Sequence, residues 1–378
     1  MNNDEYLEKI KEKYSNPNNR TKNQHFVPQF YLKKFANPNW KIETLDKELK
    51  KILSPQSIKH ICSWEFFYWL ETWKKDIISQ ILEEMFNYFE NKFAWIYNNL
   101  VDNIYSNSQI NNEYIYSLCE FVAISRFRWK YFRESLKSTS QDFMKKIFQL
   151  KYEYMKNYCP GDENVKNIIK NDNLNDTIIN WKFTIEENNA SHIRFITDEK
   201  NIQWFVNMFF NKKIKIYIAN WKRNFVTSDC CVIELMPDKQ WPFGVAFLER
   251  LHYFVLSPRI LIEFSYPNSI NKKQKINRRQ INDGDVIYYN FLRWMQWRYL
   301  YSCSKDDFNE DEYIKARFDN LERLSNLFPS KFKKEWEVKS EIIEISNTTW
   351  IEPHNIVKLL NKNNSLWNAV KNAILKRK

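Results

Sequence analysis

Glycine is nearly missing: the 378 residues hold three, Gly161, Gly244 and Gly284. A Walker A loop or a dinucleotide fingerprint uses closely spaced glycines to bring backbone N–H groups up to phosphate, and neither can be written with these three. There is no G-x-S-x-G elbow and no H-E-x-x-H helix, which removes the common serine-hydrolase and zinc-peptidase layouts. The six cysteines, at 62, 119, 159, 230, 231 and 303, form no C-x-x-C pair. Free thiols in a reducing compartment are the expectation. No apolar run approaches the roughly 18 residues that a membrane helix needs. The stretch from Met1 to Gln24 is polar throughout, unlike a secretory signal, so the sequence predicts a cytoplasmic chain with no membrane partner.

What is present is aromatic and basic. Hydrophobic residues make up 43% and aromatics 17%, enough for a sizeable core. Lysine plus arginine number 58 against 46 acids, a net charge of +12 that favours acidic partners, nucleic acid first among them.

The pattern along the chain predicts an α+β fold, predominantly helical, with a small, mostly antiparallel sheet in the second half. Three regions are expected: a polar N-terminal arm over 1–22, a main domain over 23–303, and a C-terminal helical appendage over 304–378. In "NQHFVPQFYLKKF" (Asn23 to Phe35), Pro28 suits the first turn of a short helix, with Phe26 packing back on that turn. A hairpin-like stretch follows to Leu53. Helical spacing runs from Trp64 to Leu100, with Ile77, Ile81, Met85, Tyr88 and Phe89 as its stripe, and again from Glu113 to Asn157. "KIKIYIANWKRNFVTSD" alternates at period two and predicts two strands joined at Asn220 to Arg223, after a helix at Ile202 to Phe210. Further short strands are expected at Cys231–Leu235, Ala246–Phe247, Tyr253–Leu256 and Ile260–Phe264. "NRRQINDGD" reads as a turn, and Val286 to Tyr301 as an aromatic helix.

Several polar residues stand where chemistry is possible. His25 precedes the predicted helix start, where free N–H groups favour an anion; it suits a general base or a phosphate contact, or simply caps its own turn. Arg126 follows the apolar face of its helix, and a buried arginine requires a carboxylate or an anionic ligand. Arg128, Lys130 and Arg133, interleaved with aromatics, suit a single nucleic-acid strand or form a solvated face. Ser228 and Asp229 end a strand, where side chains project rigidly or close an Asx turn. Glu83 and Glu90 lie two turns apart on one helix face, a spacing that fits either a divalent cation or ordinary exposed glutamates. His60 with Cys62, and Cys230 with Cys231, lack a second pair at zinc spacing.

Taken together, these segments resemble a family catalogued as domain of unknown function 4238. His25 to Phe35 is similar to its opening H-[YF]-V-P-x-F-Y-L-x-x-F, and "FFY" (Phe66 to Tyr68), Glu83, Glu90 and Arg126 continue the likeness. "FVTSD", "YFVLSPRILI" and the helix through Asn290 extend it to about residue 303. The family's T-S-D is followed by asparagine and proline; here Cys230 and Cys231 stand instead. The resemblance implies that His25, Arg126, Ser228 and Asp229 belong to one constellation, an active site or a polar core.

The expectation is an enzyme on nucleic acid, nuclease-like, of the kind used in anti-phage defence or as a toxin effector. His25, Arg126 and Asp229 would be catalytic, with a divalent metal possible, and Gln29, Arg128, Ser228 and Asn290 would bind substrate. The alternatives are a non-catalytic module binding nucleic acid, or a protein through the C-terminal helices, and an enzyme acting on a small phosphorylated or nucleotide ligand.

Overall fold

The computed structural model describes residues 22–65, 75–128, 195–220, 222–235, 251–267 and 276–327, with isolated positions elsewhere. The chain forms two compact units. One comprises Met1–Phe26, Ser63–Phe93 and Ala123–Phe205; the other comprises Val27–Cys62, Ala94–Val122 and Val206–Lys378.

In the first unit, strand β1 (Asn23–His25) pairs antiparallel with β4 (Ser63–Glu65), His25 opposite Ser63. Phe26 packs on Phe67, with ring centroids 5.6 Å apart. Helices α2 (Lys75–Tyr105) and α3 (Asn112–Phe127) begin or end here. The buried stripe of α2 runs through Leu82, Phe86, Phe93, Ile96, Leu100 and Ile104; Tyr88, expected on it, is 64% exposed. The predicted continuation to Asn157 and the strand at Ala246–Phe247 lie outside the described residues.

The second unit holds the larger sheets. Pro28 stands just ahead of α1 (Gln29–Leu32), where its missing N–H costs nothing, and its carbonyl accepts from the N–H groups of Tyr31 and Leu32. Strands β2 (Lys41–Asp46) and β3 (Lys51–Ser57) form a hairpin. Helix α4 (Glu199–Phe210) leads to β5 (Lys212–Ala219), β6 (Thr227–Ser228) and β7 (Val232–Leu235). Next come β8 (Leu251–Ser257), β9 (Ile260–Pro267), β10 (Asn277–Ile281), α5 (Asp283–Gln296), β11 (Tyr299–Ser302), α6 (Glu310–Asp319) and α7 (Leu321–Leu327).

Strand content therefore exceeds one small sheet in the second half. The described residues carry three sheets: β1-β4, β10-β5-β9-β8-β7 and β3-β2-β11-β6. The α+β class stands, and every pairing is antiparallel except β10 with β5. Three differences have physical causes. "NRRQI" is the strand β10, polar because it lies at a sheet edge; the helix begins after it, with the Asn282 side chain capping the N–H of Asp285. The expected helix to Tyr301 stops at Gln296, since Trp297 is extended and the next four-residue strand has no glycine or proline to announce it. The two strands read around Asn220 enter different sheets. Asn290 explains that divergence: its Oδ1 accepts from Val226 N (2.9 Å) and its Nδ2 donates to Asn224 O (2.8 Å), holding the linker away from β5.

The central strands of the five-stranded sheet, β8 and β9, are buried on both faces. His252 and Phe264, opposed in register, meet Phe209 of α4 at 5.0 and 5.1 Å; the next pair, Tyr253 and Glu263, faces the other way. Tyr31 of α1 packs on Phe254 and Phe121, and its hydroxyl donates to Val255 O (2.8 Å) and shares a hydrogen bond with Thr227 Oγ1 (2.9 Å). Tyr31→Phe leaves that carbonyl without this donor in a fully buried site, so a urea melt should show a loss of about 1–3 kcal/mol. The scarcity of glycine also shows: Trp40, Lys50, Cys62 and Asn107 adopt positive φ, which side-chain-bearing residues rarely do.

Candidate functional site

In the first unit, polar side chains gather where β1, α2 and the end of α3 supply them. Glu83 and Glu90 are seven residues apart on α2 and share a face, with Phe86 between them on the same stripe. Arg128 follows the last turn of α3, its N–H bonded to Ile124 O at 3.0 Å. Its guanidinium carbon lies 4.3 Å from the centre of the Phe86 ring, and its Nη1 pairs with the Glu90 carboxylate. Its Nη2 donates to the backbone carbonyl of His25, so the arginine ties the β1–β4 ribbon to the acidic face of α2. Arg128 is 1% exposed, a position tolerable for a permanent charge only because the carboxylate and carbonyl meet it.

Glu83 is the electrostatic centre of this cluster. It is 8% exposed, and its Oε1 has no hydrogen-bond partner among the described residues. Burial pushes its carboxyl from the ordinary range to about 7; Arg128 works against that rise, while Glu90 and Glu84 add to it. A carboxyl balanced between its two forms near neutrality can take a proton or give one. Arg128 supplies the positive charge beside the Glu83 and Glu90 pair. Among the described residues, no group of three or more His, Cys, Asp or Glu side chains could hold a metal ion.

His25 is buried in this unit as the last residue of a strand, not at a helix entrance, because α1 begins only at Gln29. Arg126 is also buried, but its guanidinium lies over Phe132 (5.1 Å) and Phe205 (5.5 Å), in a nest completed by Phe127 and Phe195. The two arginines are only two residues apart, so they leave the helix end on nearly opposite sides. Arg128 pairs with Glu90.

The other predicted residues stand in the second unit. Gln29, half-buried, opens α1. Ser228 in β6 donates to Cys230 O (2.6 Å) and accepts from Arg293 Nη1 (2.8 Å). Arg293, wholly buried, also donates to Cys230 O (2.5 Å) and Cys231 O (3.1 Å), so the Cys230–Cys231 turn is held by a guanidinium. Burial pulls Arg293 below the ordinary guanidinium range. Asp229 is 4% exposed, and its charge raises the Cys62 and Cys230 thiols that burial has already pushed up. Asn290, as described above, clasps the linker into β6. Sequence reasoning missed Arg293; its signal was a lone cation three residues after Asn290 on an aromatic helix.

Among comparisons with known proteins, a family model described as "Protein of unknown function (DUF4238)" matches residues 23–328. No curated protein and no solved structure matches the chain. No described helix is long and apolar enough to cross a membrane.

Proposed function

For this chain, which belongs to the DUF4238 family of unknown function, we propose a nucleic-acid-processing enzyme that hydrolyses phosphodiester bonds, with its acid–base chemistry at Glu83 and His25. The observation that carries the reading is the Glu83 carboxyl poised near 7 beside Arg128. The ionised carboxylate takes a proton from water as the water oxygen bonds to phosphorus. The opposite P–O bond breaks, and His25 returns a proton to the departing oxygen. Arg128, beside Glu83, supplies cationic charge for the phosphoryl oxygens, whose negative charge grows along the path, while Arg126, on the other side of the helix end, contacts the substrate away from the scissile bond. The excess of 58 basic over 46 acidic residues supports a polyanionic substrate. Asp229, Gln29, Ser228 and Asn290 stand in the second unit and take no part in this step.

The test is incubation of the protein with single- and double-stranded DNA and RNA, with and without magnesium or manganese. Wild type is expected to cleave at least one. Glu83→Gln and His25→Ala should each lower the rate by about 10²- to 10⁴-fold, the range for a lost acid–base group, in protein that still melts cooperatively. No cleavage of any substrate by wild type, or undiminished cleavage by both variants, removes the proposal. Binding without turnover that weakens steeply with salt would identify a nucleic-acid-binding module. Salt-independent capture of a protein through the helices after Ser304 would identify a protein-binding one. A role in phage defence predicts that cells expressing wild type, but not Glu83→Gln, resist infection.

A further inference from the structure

The second unit contains a tyrosine-lined socket remote in sequence from Glu83. Tyr253 and Lys215 both stand opposite Glu263 in register, on the strands flanking β9, and Tyr217 is two residues along β5 on the same face. Glu263 is 3% exposed; Lys215 Nζ donates to its Oε1 (2.7 Å) and Tyr217 OH to its Oε2 (2.8 Å). Over this row, α5 lays Tyr289, its ring centre 5.3 Å from Tyr217, 5.2 Å from Tyr253 and 5.5 Å from its neighbour Tyr288. Arg323 of α7, an exposed residue, lies against the aromatic group, with its guanidinium carbon 4.6 Å from the Tyr288 centre and 5.9 Å from that of Tyr289.

Two features mark this as more than ordinary packing. No acidic side chain among the described residues forms an ion pair with Arg323; its guanidinium lies instead on the ring faces of Tyr288 and Tyr289. The hydroxyl of Tyr288, a residue 2% exposed, has no hydrogen-bond partner among the described residues. Ring faces attract a cation through their quadrupoles, and a guanidinium is flat and weakly hydrated enough to lie on them. A compact ammonium keeps more of its water and gains less.

We propose that Tyr217, Tyr253, Tyr288 and Tyr289, backed by Glu263, form a guanidinium-binding socket that Arg323 fills in cis. Arg323 is a plug that pins α7, and with the plug withdrawn the socket accepts an arginine side chain from another molecule.

The experiment compares full-length wild type with Arg323→Ala, using methylguanidinium as probe and methylammonium at equal ionic strength as control. Arg323→Ala is expected to melt lower than wild type. Millimolar methylguanidinium should restore most of that loss, bind saturably by ligand-observed NMR, and bind at least about tenfold more tightly than methylammonium. Wild type, its socket filled, should show neither effect, and adding Tyr288→Ala should remove both. Should Arg323→Ala not fold unaided, methylguanidinium present during refolding must recover it where methylammonium does not. Equal responses to the two cations, equal responses of wild type and variant, or no recovery by methylguanidinium would overturn the assignment.

Discussion

Replacing Glu83 by glutamine is expected to make the protein more stable at pH 8 while it removes activity. The carboxyl ionises near 4.5 in the unfolded chain and near 7 in the folded one. Between those values the folded state holds a proton that the unfolded state has released, so wild-type stability should fall as pH rises through this window and level off above it. Below pH 4.5 both states are protonated and the penalty vanishes. The full shift corresponds to about 3 kcal/mol, an upper figure because the glutamine amide must itself be accommodated. Urea melts of wild type and Glu83→Gln at half-unit steps from pH 4 to 8.5 isolate the group, since other titrations cancel in the difference. The difference should grow from near zero at pH 4 to its plateau above pH 7. Parallel curves would show that Glu83 is not held in this way, and the acid–base proposal would fall with it.

Arg128→Met should do the opposite and cost about 3–5 kcal/mol, because it strands Glu90 and withdraws the donor to the His25 carbonyl. The methionine stem can still cover Phe86, so the loss reports mainly on charge and hydrogen bonding. Arg128 also holds the Glu83 carboxyl down, and without it the Glu83 midpoint should climb further. A double-mutant cycle with Glu90→Gln separates the two contributions: the double variant should recover much of the stability, since no stranded charge remains. Strict additivity of the two single losses would mean that Arg128 and Glu90 are not energetically coupled, whatever their geometry.

Much of the fold was legible where side chains obey the period of their element. Pro28 ahead of a short helix, the alternation of β5 and the apolar runs of β8 and β9 were readable. Strand β10 was not, because "NRRQI" is polar at a sheet edge and looks like a turn. Nor was β11, because "YLYS" continues an aromatic helix without a break in composition. The candidate site was half legible. The shared face of Glu83 and Glu90 follows from helical spacing alone, but Glu83 and Glu84 are identical letters, and only burial distinguishes the carboxyl near 7. Likewise Arg126 and Arg128 flank Phe127 symmetrically in sequence, and only the turn at the helix end sets Arg128 beside Glu90.

The four-stranded sheet has a temporal consequence. Strand β11 sits between β2 and β6, pairing Tyr299 with Asp46 and Tyr301 with Thr227. As the nascent chain leaves the ribosome, the β2–β3 hairpin emerges early with its inner edge open. It stays open until the segment after Gln296 has been made, roughly tens of seconds later at ordinary translation rates. During that interval the unsatisfied edge is available to any other extended peptide, so correct closure depends on the hairpin remaining solitary.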